Sequence, residues 1–289
     1  MVAAPLGLLL LFQRPGRRES LIALVLLALA AWSALSGGDG FTRFEGAWVL
    51  MLAGGTVVAL ALRPPPRGSL TGSGLLAVGV AALVGSLAVA LTSFSWGELR
   101  WLAERHYGLQ SRLLLEAMTR SLQGAEGATD VVEAMEAAFN QVVQVMSTLL
   151  PALVLLQSMA ALAAAWALYQ KLARHPEGEP LPRLRDFRFS DHLIWGIVIA
   201  LVALVFPGAH SVRLLGGNLA TFFGGLYVVR GLGIVSALAA AAGVGGPFAA
   251  LLATFATFFL FPLVMFGALA LGVTDTWVDW RKIAVRKTS

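Results

Sequence analysis

An all-α, polytopic transmembrane helical bundle is the fold class this sequence predicts, and three observations predict it. Of its 289 residues, 58% are hydrophobic and only 13% charged, with mean hydropathy +0.79, whereas soluble domains carry about 25% charged residues. Apolar runs of the length a spanning helix needs, about 20 residues, recur at 19–36, 44–62, 71–96, 142–172, 191–207, 214–243 and 247–273. These runs are continuous in Leu, Ala and Val, whereas barrel strands alternate. About seven spans follow, in a single integral membrane domain over 1–289, because no polar stretch is long enough to fold independently.

The elements can be justified in order. Segment 2–12 is apolar but too short to cross a bilayer core, and it lacks the leading positive charge of a secretory signal. Arg14, Arg17 and Arg18 follow it, as at the cytoplasmic end of a helix entering from outside. The expectation from that pattern is a further helix upstream of Met1. Arg63 and Arg67 flank Pro64, Pro65 and Pro66, and Lys171, Arg174, Arg183, Arg185 and Arg188 crowd a second loop. The positive-inside rule puts both loops in the cytoplasm.

Between these loops, 97–141 carries seven acidic residues against four arginines and is expected to face outside. It reads as an amphipathic helical pair at the outer interface. Leu99, Leu102, Leu109, Leu113, Ala117 and Ser121 fall near helical spacing, Ser95 with Glu98 forms a capping box, and Gly124–Gly127 breaks the first helix. A second helix from Thr129 or Asp130 runs straight into the span at 142–172. The end of the chain resists this alternation. Seven passes would leave the C-terminus outside, yet Arg281, Lys282, Arg286 and Lys287 stand there. Either 214–273 holds an extra pass or re-entrant piece, broken at Gly231 and Gly233 or at 243–247, or these last charges do not decide orientation.

Composition also excludes several chemistries. Cysteine is absent, which removes disulfides, thiolate metal sites and cysteine nucleophiles. The net charge of +5 does not indicate nucleic acid, because the basic residues sit in short loops between apolar segments, where lipid headgroups explain them. His106, His175, His192 and His210 are scattered without a second ligand three or four residues away, so no metal or other cofactor is expected. Gly-x-Ser-x-Gly, His-Glu-x-x-His and the phosphate-binding Gly-x-x-x-x-Gly-Lys-Ser/Thr are all missing. The expectation is therefore a protein without enzymatic activity of its own.

The residues that invite a functional reading lie in the last third. Arg230 stands deep in an apolar run, where a cation costs roughly 2.5 kcal/mol or more. It is either an anion-binding group inside the bundle or a cation snorkelling to an interface from a run broken at Gly231. Asn218, with Thr221 and Tyr227, adds hydrogen-bonding capacity to the same helix. Such groups most often hold helices together; a ligand-binding role for Asn218, Tyr227 and Arg230 is the alternative. The glycines at 216, 217, 224, 225, 231 and 233 read as close helix packing. Asp275 and Asp279 either pair with Arg281 and Lys282 at the membrane surface or dock a partner.

One resemblance bears on this region. The ending from Leu271 to Lys282, Gly272-Val273-Thr274-Asp275-Thr276-Trp277-Val278-Asp279-Trp280-Arg281-Lys282, follows a helix that opens at Asn218-Leu219 and runs through Tyr227 to Gly231-Leu232. Residues 214–282 thereby resemble the YybS-like family of predicted multispanning bacterial membrane proteins. The resemblance implies an extra helix ahead of 2–12 and a fold likened to the substrate-binding components of energy-coupling-factor vitamin transporters. Arg230 departs from the family pattern, which has a neutral polar residue before that glycine.

The functional expectation is a transport-related component of the bacterial cytoplasmic membrane. It would bind a small solute, of unknown identity, near Asn218, Tyr227 and Arg230 and work with separate energising partners. A scaffold of the cell-envelope machinery is the alternative, and an intramembrane enzyme ranks third. The bilayer itself is the first partner; nucleic acid is not one.

Overall fold

The computed structural model describes residues 1–12, 15–36, 38–63, 70–92, 95–121, 128–243, 254–255 and 259–282, and every regular element among them is helical. The chain divides into two compact units, Met1–Pro180 and Leu181–Ser289. Among the described residues, five helices are long and apolar enough to cross a membrane: Arg17–Leu35, Gly40–Leu62, Thr71–Leu91, Leu150–Leu172 and His210–Ala241.

The first unit contains α1 (Ala3–Phe12), α2 (Arg17–Leu35), α3 (Gly40–Leu62), α4 (Leu70–Leu91), α5 (Trp96–Ser121), α6 (Ala128–Thr148) and α7 (Leu150–Leu172). Ten residues of α1 rise only about 15 Å, yet Ala4, Leu6, Leu9 and Leu10 are buried, because α1 packs against α2, α3 and α7. Small residues set the helix spacing. A side chain at Gly55 would run into the Ala77 carbonyl across α3 and α4, and one at Gly46 would meet Ala34 of α2. Trp48, Leu52, Ala59, Ala77, Ala81, Leu150 and Val154 form the core. Within it the Trp48 indole donates to Ser158 Oγ at 2.8 Å. By contrast, Leu21, Leu24, Leu29 and Trp32 of α2 are more than half exposed, a surface suited to lipid tails rather than water.

The caps follow local chemistry. Asp39 caps α3 by accepting from the Thr42 N–H and hydroxyl, and those two bonds, the hydroxyl's first, hold its pKa at about 2. The Ser95–Glu98 capping box forms as the sequence predicts, with Glu98 accepting from the Ser95 N–H and Ser95 Oγ from the Glu98 N–H. Helices α5 and α6 match the expected pair within 97–141, though the expected break at 124–127 lies outside the described residues. The pair differs from expectation at its end. The chain kinks at Leu149 between α6 and α7, because the Pro151 ring opposes the carbonyl one turn back, so 142–172 is not one straight span.

The second unit contains α8 (Ile194–Val205), α9 (His210–Ala241) and, numbered here in chain order, α10 (Phe261–Thr274), preceded by 3-10 turns at Leu184–Asp186 and Asp191–Leu193. The expected span at 191–207 is shorter here, and of the one expected at 247–273 the described residues hold α10. A 3-10 turn and Pro207-Gly208 confine α8 to 12 residues, about 18 Å, and α10 covers 14, about 21 Å, against a hydrocarbon core of about 30 Å. The first part of 247–273 lies outside the described residues.

Helix α9 reaches about 48 Å and ends with Gly243 in the left-handed conformation, φ 69°. Its first half pairs antiparallel with α8, where Gly216 faces Ala200 and Leu204 and Gly196 faces Phe223. Its second half pairs antiparallel with α10: a side chain at Gly231 would strike the Ala268 carbonyl, and one at Gly272 the Tyr227 carbonyl. After α10 the chain turns at 275–278 and returns, bringing the Arg281 guanidinium alongside Gly233.

Candidate functional site

The start of α8 and the end of α10 converge on the same level of α9, and the polar residues of the unit gather there. Long helical side chains lean toward the helix N-terminus, so the Arg230 guanidinium lies back toward Tyr227, where Asp191 and Asp275 arrive from the neighbouring elements. Its Nε donates to Asp275 Oδ2 at 2.9 Å, its Nη2 to the Asp275 carbonyl at 3.1 Å and its Nη1 to Asp191 Oδ1 at 2.8 Å. Phe189 lies 5.2 Å below the guanidinium and packs edge-on against Tyr227. The Arg230 side chain is 3% exposed and that of Asp275 1%, whereas Asp191 is 61% exposed. From His210 to Arg230 is about 30 Å along the helix, one hydrocarbon thickness.

This arrangement changes the role open to Arg230. Each of its three guanidinium nitrogens donates to an oxygen of this chain, so Arg230 ties α9 to the turn before α8 and to the residue that follows α10. Asn218 stands apart. Its side-chain amide donates to the Leu214 carbonyl one turn earlier in α9, and 12 residues, about 18 Å, separate it from Arg230. Tyr227 is fully buried inside the cluster.

The C-terminal residues divide in the same way. Burial acts to raise the Asp279 carboxyl, but bonds from Arg188 Nη2 at 2.8 Å and from Lys282 outweigh it and hold its pKa at about 2. Asp279 thus pairs with Lys282 and, unforeseen by the sequence, with Arg188. Asp275 pairs with Arg230 through Oδ2 only. Arg281 donates through Nη2 to the Phe187 carbonyl at 3.0 Å, and burial pushes its pKa down, opposed by the Asp275 charge.

Five side-chain atoms here are sealed from solvent and have no hydrogen-bond partner among the described residues: Tyr227 OH, Asp275 Oδ1, Thr276 Oγ1, and Arg281 Nε and Nη1. The Tyr227 and Thr276 hydroxyls are neighbours without meeting hydrogen-bond geometry, and Arg281 and Asp275 feel one another's charge. A buried polar group left unpaired costs about 1–3 kcal/mol, and the five such side-chain atoms among the described residues all lie in this unit. Sequence reasoning singled out Tyr227, Arg230, Asp275 and Arg281 but missed Asp191, Arg188, Phe189 and Thr276 as members. An acid at the start of a short apolar run, where a cation deep in another run needs a partner, was the available signal for Asp191. No group of three or more His, Asp or Glu suited to a metal ion occurs among the described residues.

In comparisons with known proteins, residues 1–276 match the family model described as Predicted membrane protein (DUF2232). No curated protein and no solved structure matches the chain.

Proposed function

We propose that this chain, which belongs to that family of predicted membrane proteins, is a non-enzymatic solute-binding component of a membrane transport system, energised by separate partner proteins. The observation that carries the reading is the cluster of five sealed, unpartnered polar atoms on Tyr227, Asp275, Thr276 and Arg281. Donors and acceptors held by α9 and by the residues that follow α10, beside an ion pair that fixes their frame, are what a small polar solute requires of its site. No phosphate-binding loop motif occurs in the sequence, so any ATP use comes from another polypeptide.

Several finer expectations belong to the same proposal. About seven crossings, basic loops in the cytoplasm and residence in the bacterial cytoplasmic membrane follow from hydropathy and charge. The YybS-like resemblance and its likeness to energy-coupling-factor components point in the same direction. The solute site of this proposal is shifted from the sequence expectation: Tyr227 stays in it, Arg230 supports it from one side, and Asn218 lies outside it.

A scaffold role is the second reading, favoured by Leu113, Leu114, Val142 and Val145 of α5 and α6, each at least half exposed. Native mass spectrometry of the purified protein separates the two. A co-purifying small molecule that is lost from a Tyr227→Phe/Thr276→Val variant supports solute binding. A protein that carries none and shows no ligand-dependent thermal shift favours the scaffold.

A further inference from the structure

We propose that the first unit carries a binding site for one anionic phospholipid, with the end of an acyl chain seated in a slot between α1, α3, α4 and α7 and the phosphate held against Arg63. The site lies wholly within that unit and is independent of the solute site.

The slot comes from small residues on facing helices. Thr56, Ala59 and Arg63 share one face of α3, at spacings of four and three, and line a cavity of about 50 Å³. Gly74 and Ala77 of α4 line it opposite them, and Leu9 of α1 and Trp166 of α7 complete the wall. The Thr56 hydroxyl donates to the Leu52 carbonyl one turn earlier, and the Trp166 indole N–H to the Glu179 carbonyl at 3.0 Å. Both polar groups of the wall are thus engaged within the protein, and an apolar cavity takes hydrocarbon rather than water. From Thr56 to Arg63 is about 10 Å along the helix, and the volume admits about four water-sized groups. A slot that long and that narrow fits the end of one hydrocarbon chain and is too slight for a compact solute.

One end of the slot is positive. Arg63 is exposed at the C-terminal end of α3, and Ser73 lines the cavity with it. A guanidinium presents paired N–H donors to a phosphate, and a hydroxyl adds another. Arg17 and Arg18 open α2, and Lys171 and Arg174 stand at the end of α7. These belong to the same end of the unit, because the Glu19 carboxylate of α2 accepts from the Arg174 backbone N–H at 2.6 Å. Glu19 itself is buried and also accepts from the Gly16 N–H. With Glu177 and Glu179 counted, five cations face three carboxylates, and among the described residues none of the five lies within ion-pair distance of one. The charge rule puts this end in the cytoplasm, where the leaflet is anionic and basic pockets between helices hold lipid headgroups. Leu62, next to Arg63, is 68% exposed, as suits a cation standing at the edge of lipid. An acidic protein would meet the cations but leave the slot empty; an anionic phospholipid satisfies both.

The test titrates the purified full chain in detergent with phosphatidylglycerol and phosphatidylcholine bearing brominated acyl chains, which quench tryptophan emission on contact. We expect saturable quenching by phosphatidylglycerol at one equivalent, at least about fivefold tighter than by phosphatidylcholine, the effect of one basic residue beside an anionic lipid. Trp166→Phe should remove most of the saturable signal, because Trp166 lines the slot. Arg63→Gln, an exposed change, should weaken phosphatidylglycerol about fivefold and leave phosphatidylcholine unaffected. Gly74→Leu should fill the slot and abolish the Trp166 signal for both lipids. A Cβ there meets Met159 and Leu162 at ordinary contact, 3.4 and 3.9 Å, and Arg63→Gln with Trp166→Phe decides the matter should that variant not fold. Equal affinity for the two lipids, saturable quenching that persists in Trp166→Phe, or phosphatidylglycerol binding indifferent to Arg63→Gln overturns the proposal.

Discussion

Replacing Asp275 by Asn should be among the most damaging single substitutions in the second unit. Asn keeps the shape and removes the negative charge facing Arg230. Because the two side chains are 3% and 1% exposed, solvent cannot screen the cation left behind, and breaking a buried pair on one side costs about 3–5 kcal/mol. Asp191 accepts from the same guanidinium at a nearly identical distance, 2.8 Å, but is 61% exposed, so Asp191→Asn should cost about 1 kcal/mol or less. Removing both members of the buried pair, Arg230→Met with Asp275→Leu, should recover most of the loss, since no charge is then stranded. The assay is denaturant unfolding in detergent micelles, run as a double-mutant cycle. An Asp275→Asn cost no larger than that of Asp191→Asn, or strict additivity in the double variant, would refute the claim that Arg230 and Asp275 form the tie between α9 and α10.

Three further outcomes follow from other contacts. Ser158→Ala strands the buried Trp48 indole N–H, so a loss of about 1–3 kcal/mol is expected, together with a shift in tryptophan emission. Gly231→Val drives a side chain into the Ala268 backbone of α10 and should cost at least about 1–3 kcal/mol; Gly54→Ala meets nothing within 4 Å and should be neutral or slightly stabilising in the same thermal-shift series. Asp279 has its folded pKa lowered from 3.8 to about 2, so its contribution with Arg188 is full above the ordinary carboxylate value and fades as pH falls through about 2. Asp39 titrates in the same window, so the check is the difference in acid unfolding between the native chain and Arg188→Gln, which should vanish at the acid end and be largest above about pH 4.

The helical class and the long apolar helices were legible because they depend on composition and periodicity along the chain. The Ser95–Glu98 cap was legible for the same reason: both of its members lie within one turn. What escaped was set by contacts distant in sequence. The short reach of α8 could be anticipated only by giving weight to Asp191 and His192 ahead of it and to Pro207-Gly208 behind it. The kink at Leu149 follows from Pro151, whose effect on the preceding turn was outweighed in the hydropathy reading by the unbroken apolar run. The burial of α1 needed knowledge that three other helices surround it, which hydropathy alone does not carry.

The site shows the same division more sharply. A lone cation in an apolar run draws attention by its cost, and Arg230 did so rightly, but cost along one helix says nothing about partners 39 and 45 residues away in sequence. Once those partners are counted, Arg230 is tied into the fold, and Arg281, which the sequence reading offers to Asp275 and Asp279 at the membrane surface, donates instead to the Phe187 carbonyl. The two arginines therefore make opposite predictions for one pair of substitutions. Losing Arg230 should strand Asp275, which measures as lost stability; losing Arg281 removes a cation whose Nε and Nη1 meet no partner among the described residues, which measures as lost binding with the fold largely kept. An Arg281→Gln variant that unfolds as readily as Arg230→Gln would show that both arginines are structural, and the proposed solute site would then lose its cation.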